Sequence, residues 1–352
     1  ELAARFVPPE GRRLVLLHPT RPRRVTGTGR WLERRQVAMH HHVALDRRED
    51  VERLYRFING TARGFVACGG GALAAAHVGV YKALSEHGLG FDIMGGTSAG
   101  SAMTAAFALG NSAEDVDRGL DEIFVKHGAM RRYTWPRYSL LDHTHFDAEL
   151  KRFFGGIDIE DLWTPYFAVS TDLSSSQLYC HRTGDLWTAV RASGSIPVLF
   201  PPLYRDGHML VDGCLLDNVP VRIMSEIKSG PNVVVSFEIP KLELWDVDYD
   251  SLPSRSDLMK SLVRGRRRES LPEAPGVTTV LMRSLMVNRQ DFRRHLKPED
   301  LLLVPPLPEG MGFLDWHRHT ELMDGAFAWT RSEIERWRAD GHPILKWART
   351  QA

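Results

Sequence analysis

Ser98 lies in Gly96-Thr97-Ser98-Ala99-Gly100, a G-x-S-x-G run that follows an apolar stretch, Phe91 to Gly95, and opens a run of small residues. In a strand, turn and helix setting the flanking glycines let neighbouring backbones approach, so the hydroxyl stands at the strand's carboxyl end above a helix N-terminus. The chemistry such a serine performs is attack on a carbonyl. A plain Gly/Ser turn uses the same residue types, so the run needs a second signal.

Gly69-Gly70-Gly71 supplies one, thirty residues upstream and also where a strand pattern passes into a helical one. Acyl transfer needs backbone N–H donors aimed where negative charge develops on the carbonyl oxygen, and consecutive glycines turn those donors into a site without side-chain obstruction. The competing reading is a nucleotide-phosphate loop. The run lacks the Lys-Ser/Thr of a P-loop and has no acidic residue placed for a ribose.

With these residues in place the chain resembles the patatin-like phospholipases, and more narrowly the neuropathy target esterase group of lysophospholipases. The likeness also rests on Ala75 to Val80 (AAHVGV), Ile159 to Phe167 (IEDLWTPYF), Arg191 to Pro202 (RASGSIPVLFPP) and Gly207 to Pro220 (GHMLVDGCLLDNVP), in family order. The resemblance implies a three-layer α/β fold, a mostly parallel central sheet with helices on both faces. It makes Ser98 the nucleophile, with Gly96 and Gly100 framing its elbow. It makes Asp212, in Asp212-Gly213-Cys214, the base of a Ser-Asp dyad, and Gly69, Gly70 and Gly71 the oxyanion loop. Taken alone, an Asp before a glycine is a turn former.

The implied activity is hydrolysis of fatty-acyl esters of phospholipids or lysophospholipids, with no metal or organic cofactor. Two departures from the family stand out: Leu73-Ala74 replaces the usual Arg-Gly, and Cys68 and Cys214 stand where glycines are common. They motivate a rival, a catalytically weak lipid-binding or regulatory module. A second rival is a Ser-His-Asp esterase of the α/β-hydrolase type, whose histidine follows its acid in the chain; here no histidine follows Asp212 before His295. His77 and His208 are read as structural. Cys68 and Cys214 are expected near one pocket.

Several features carry less. His40-His41-His42 suggests metal binding, but neighbours on a strand point to opposite faces, and a solvated loop is the expectation. Arg264, Arg266, Arg267 and Arg268 form a basic cluster suited to anionic headgroups or simply to a solvated surface. A terminal helix, Asp315 to Arg338, is expected to bury its tryptophans rather than anchor in a bilayer.

The elements that would position the site read as alternating short apolar runs and helical segments from Gly64 onward, the pattern of a covered parallel sheet. Expected strands are Phe65 to Cys68, Phe91 to Gly95, Tyr166 to Thr171, Gln177 to His181, Pro202 to Arg205, His208 to Asp212 and Val233 to Ile239. Helices are expected at Ala74 to His87, Ser98 to Leu109, Ala113 to His127, Leu186 to Ala192 and Val221 to Lys228. Residues 128–160 read as an aromatic, irregular lid or wall, and Leu242 to Pro275 as loops with one helix. Residues 1–63, with a strand at Leu14 to Leu17 and a helix at Arg47 to Asn59, form an extension before a catalytic domain at 64–352.

The 352 residues carry 45 Lys and Arg against 44 Asp and Glu, which leaves no global field to attract nucleic acid. Three cysteines without ligand spacing point to a reducing compartment. No apolar run reaches the roughly 20 residues of a membrane helix. A cytoplasmic protein, or one touching the cytoplasmic side of a membrane peripherally, is the expectation. The chain begins with Glu1, so its lack of a signal-peptide pattern weighs little.

Overall fold

The computed structural model describes residues 6–237, 245–254, 256–257, 274–286 and 292–348. Its first compact unit comprises 1–237 and 288–352. Strands β3 (Gly64–Ala67), β4 (Ile93–Thr97), β5 (Tyr166–Asp172) and β9 (Asn232–Val235) are buried at every position. Near-continuous apolar runs are what a parallel sheet covered on both faces demands. With β10 (Leu301–Leu303) the parallel strands run in the order β10-β9-β3-β4-β5. Beyond β5 the sheet turns antiparallel: β8 (His208–Asp212) and β6 (Gln177–His181) both pair with β5, and β7 (Leu203–Arg205) closes the edge on β8. Helices cover both faces, giving the α/β architecture expected.

The helices follow the strands that feed them. Helix α2 (Ala75–Glu86) follows β3, α3 (Ala99–Ala108) follows β4, and α6 (Leu186–Ser193) precedes the β7–β8 hairpin. Helix α7 (Val221–Ile227) leads into β9, and the long α9 (His319–Asp340) lies along α2. Trp337 on α9 and Trp316 just before it are buried, whereas Trp329 on the same helix is half-buried. Among the described residues no helix is long and apolar enough to cross a membrane.

Near the N-terminus, β1 (Arg13–His18) pairs in parallel with β2 (Met39–Ala44), followed by α1 (Arg48–Ile58). Arg56 on α1 grips Asp92 with two charge-assisted bonds, of 2.8 and 2.6 Å, immediately before β4.

Three expectations need correction. The histidine run is not a solvated loop but the middle of β2: His41 and His42 are 2% and 1% exposed. Neutral imidazoles tolerate that burial where carbonyls receive their N–H groups, and His40 and His42 both bond the Glu160 carbonyl at 2.9 Å, whereas His41 packs on Phe57 with neither ring nitrogen bonded among the described residues. Second, residues 128–160 contain a regular helix, α5 (Thr144–Phe154), whose Phe146, Leu150 and Phe154 repeat at helical spacing and are buried. Third, the expected helix from Ala113 divides into α4 (Ala113–Leu120) and a wider turn, Asp121–Lys126, of π type.

The second unit, 238–287, includes helix α8 (Val277–Met286) and stacks Arg283 on Trp245 at 5.6 Å. The arginine cluster at 264–268 lies outside the described residues, as does most of 242–275.

Candidate active site

Ser98 sits just past β4 and just before α3, with φ of 54°. A non-glycine residue held there stores roughly 1–3 kcal/mol of backbone strain, which the surroundings must enforce. They do so at close range. A Cβ on Gly100 would stand 2.4 Å from the Cys68 carbonyl oxygen, and one on Gly96 2.7 Å from that of Ala67. Only glycine admits β3 this near to the elbow, so these two positions set the turn. The Ser98 N–H is itself fixed, donating at 2.8 Å to Ser193 Oγ, which donates in turn to the Val169 carbonyl at 2.6 Å.

Asp212 arrives from the other side. It ends β8, which runs antiparallel to β5, so its last residue pairs with Ser170 while Thr97 at the end of β4 pairs with Val169. The two chain ends therefore meet at one level of the sheet. Gly213 lets the chain turn there: a Cβ would fall 2.5 Å from the Val169 carbonyl oxygen. Ser98 Oγ donates to Asp212 Oδ2 at 2.5 Å, while Oδ1 accepts the Cys214 N–H at 2.9 Å. Ser98 is 7% and Asp212 1% exposed. A carboxylate withdrawn from water beside a hydroxyl is poised to take its proton.

The glycine loop lies over this pair, since a Cβ on Gly69 would be 3.0 Å from Ser98 Cβ. Its three N–H groups are not equivalent. Gly69 donates to the Asn218 carbonyl at 3.2 Å, and its own carbonyl accepts from Asn218 Nδ2 at 3.2 Å. Among the described residues nothing accepts the N–H of Gly70 or Gly71. Gly71, with φ of 55°, shares a cavity wall with Ser98. Leu73 and Ala74, where the family commonly has Arg-Gly, are both buried beneath the loop in a 3-10 turn.

The cavity leading from Ser98 encloses about 840 Å³ including its mouth. Ala99, Ala102, Met103 and Ala106 line it from one face of α3; Val116 and Leu120 line it from α4, Phe146 and Leu150 from α5. The segment expected as a wall does form one. The lining is almost wholly apolar, and its polar residues, Asn111 and Asp115, lie in the turn and first helical residues beyond α3.

The histidines lie apart from this chemistry. His77 is fully buried, bonds the Cys68 carbonyl at 2.8 Å, and burial lowers its pKa to about 4. His208 bonds Asp172 at 2.8 Å. Cys68 and Cys214 are both buried beside the dyad, Cys214 bonding Asp212 through its N–H and Cys68 lying against Gly100 through its carbonyl, but neither lines the cavity. Sequence reasoning missed Ser193 and Asn218 as supports, although both fall inside motif blocks. Among the described residues no cluster of His, Cys, Asp and Glu has the arrangement to hold a metal.

An elbow serine bonded to a buried aspartate at the end of a mixed α/β sheet defines a patatin-type domain. Residues 65–225 match the family model of the patatin-like phospholipases, and the chain carries a patatin-like phospholipase domain. It is 30% identical to patatin-like phospholipase domain-containing protein ZK370.4 of Caenorhabditis elegans over 88% of this chain and 26% of that protein. Lysophospholipase nte1 of Aspergillus fumigatus is 31% identical over 83% of this chain and 19% of its own length. Patatin-like phospholipase domain-containing protein 7 of Rattus norvegicus is 36% identical over 57% of this chain and 15% of its own. The chain thus spans about a quarter or less of the length of these relatives. Among solved structures, VipD from Legionella pneumophila superposes with a TM-score of 0.37 at 13% identity, covering 78% of this chain and 67% of that one.

Proposed function

We propose that the chain is a serine acyl hydrolase that cleaves fatty-acyl esters of phospholipids or lysophospholipids, with Ser98 as nucleophile and Asp212 as base. The observation that carries this reading is the 2.5 Å bond between them at the head of an apolar cavity. Asp212 takes the Oγ proton as Oγ attacks the ester carbonyl. The N–H groups of Gly70 and Gly71 receive the oxyanion, Gly69 being spent on Asn218. Collapse expels the alcohol, which takes the proton from Asp212, and leaves the acyl group on Ser98. Water then gives a proton to Asp212 and attacks the acyl-enzyme; Ser98 recovers the proton as the fatty acid departs.

The cavity's chemistry favours a long hydrocarbon chain over a polar substrate, because nearly every wall residue is apolar. A lipid substrate implies contact with a membrane or micelle surface, and we place the protein in the cytoplasm or peripherally on a membrane's cytoplasmic side. The two relatives named as phospholipase-domain proteins and the one named a lysophospholipase support the substrate class. The test is fatty-acid release from lysophospholipids, phospholipids and acylglycerols, with Ser98→Ala as control. Release from lysophospholipid or phospholipid that the Ala variant lacks is expected. Absence of release from every lipid, with a short chromogenic ester also untouched, overturns the enzymatic reading in favour of a binding module.

A further inference from the structure

A second cavity, of about 730 Å³ including its mouth, lies at the end of β4 opposite Ser98. Ile93 and Tyr166, the first residues of β4 and β5, form part of it, whereas Ser98 follows the last residue of β4. The segment before β2 supplies another wall through Leu32, Val37 and Ala38.

Two arginines, Arg35 and Arg182, line this mixed polar and apolar space. Among the described residues neither meets a carboxylate: Arg35 bonds the Trp31 carbonyl at 3.0 Å and Arg182 the Ala38 carbonyl at 3.1 Å. Arg182 is half-buried, and desolvation pulls it below the ordinary arginine value. The His40 ring beside it is also held below the ordinary histidine value, first by burial and further by the Arg182 charge. The acids near His40, Glu160 and Asp161, pair with neither arginine among the described residues. Glu160 Oε2 accepts the Gly184 N–H at 2.7 Å, and Asp161 accepts the N–H groups of Gly27 and Thr28 at 3.2 and 2.9 Å.

A cation withdrawn from water without a counter-charge is unfavourable unless an anion completes it. We propose that this cavity is a second ligand site, which takes the anionic head of an amphipathic molecule on Arg182 and Arg35 and its apolar body against Leu32, Val37, Met39 and Ile159. Carboxylate and phosphate heads share the chemistry that two guanidiniums recognise. Occupancy does not require hydrolysis at Ser98, so the proposal stands or falls apart from the catalytic reading.

The test uses the full chain carrying 13C-methyl methionine. Met39 lines this cavity, whereas Met103 and Met130 line the one at Ser98, so the methyl signals report the two sites separately. Decanoate and decyl phosphate are titrated as probes, with decanol and inorganic phosphate as partial ligands. Saturable movement of the Met39 signal by decanoate, decyl phosphate or both is expected, and which of them acts identifies the head group. Decanol and inorganic phosphate should each bind at least tenfold more weakly. Arg182→Gln should weaken the effective probe about tenfold or more, with Met103 and Met130 signals unmoved in the free protein, and Arg182→Lys should recover part of the loss. If the Gln variant does not fold, Arg35→Gln on the exposed rim carries the same comparison. A Met39 signal indifferent to both anionic probes, equal binding of decanol, equal binding of inorganic phosphate, or undiminished binding by the arginine variants overturns the proposal.

Discussion

Asp212 divides its carboxylate between two donors, receiving Ser98 Oγ–H on Oδ2 at 2.5 Å and the Cys214 N–H on Oδ1 at 2.9 Å. The second bond aims the first, because it fixes the carboxylate plane from the residue two positions on. Members of a working nucleophile-base unit are strongly non-additive. Ser98→Ala, Asp212→Asn and the double variant are therefore each expected to lose about 10³-fold or more of turnover, by similar amounts. His77→Gln and His208→Gln should keep most activity, since those rings bond Cys68 and Asp172. Turnover of all five, with folding checked by circular dichroism, decides the matter. A folded His variant as inactive as Ser98→Ala, beside an active Asp212→Asn, would favour a histidine base.

Chain-length preference should be set along α3. Ala106 lines the cavity seven residues beyond Ala99, roughly 10 Å along the helix at 1.5 Å per residue. A bulky side chain there shortens the space for an acyl tail without touching the dyad. For Ala106→Phe, kcat/KM on a hexadecanoyl ester should fall tenfold or more, while a butanoyl ester stays within about threefold. Equal losses on both esters would mean that the helix had been displaced rather than the cavity shortened.

Ser193 holds the elbow from behind. Its hydroxyl is buried, accepts the Ser98 N–H at 2.8 Å and donates to the Val169 carbonyl at 2.6 Å. Ser193→Ala leaves a buried amide unpaired, which costs about 1–3 kcal/mol, and frees the strained turn at Ser98. Lower stability in urea unfolding and a fall in kcat larger than the change in KM are expected. Rescue of kcat by Ser193→Thr would show that the hydroxyl, rather than the volume, is what matters.

What the sequence made legible follows from how each feature leaves its mark. Gly96, Gly100 and Gly213 sit where a Cβ would meet a carbonyl at 2.4 to 2.7 Å, so the residue type itself records the geometry. Ser193 leaves no such record, because a serine bonding an amide 95 residues away has no characteristic spacing. Gly69 looked equivalent to its two neighbours until the Asn218 carbonyl, 149 positions on, was seen to occupy its N–H. Helix α5 was readable from Phe146, Leu150 and Phe154 but hidden by the aromatic residues before it. The histidines of β2 were misjudged because polarity suggested solvent, while the Glu160 carbonyl bonds His40 and His42 and Phe57 packs on His41. The three-residue β10 is too short to show a period.

Asp217 lies beside the elbow through its carbonyl, which accepts Thr97 Oγ1–H at 2.8 Å. Its carboxylate accepts the Val219 N–H at 3.2 Å, yet burial outweighs that bond and the nearby Arg222 and raises its pKa from 3.8 to about 6. The folded state thus keeps a proton that the unfolded chain has already lost between those values. Stability must fall as pH rises through that window, and the full penalty persists above it. Asp217→Asn retains an oxygen for Val219 and cannot ionise. It should match the wild type near pH 4 and exceed it at pH 8, by about 1–2 kcal/mol after allowance for the residue's partial exposure. Urea unfolding of both proteins at one-unit steps from pH 4 to pH 8 measures the difference. A gap that is constant across the series, or that closes as pH rises, would show that Asp217 ionises in the folded protein as readily as in the unfolded chain.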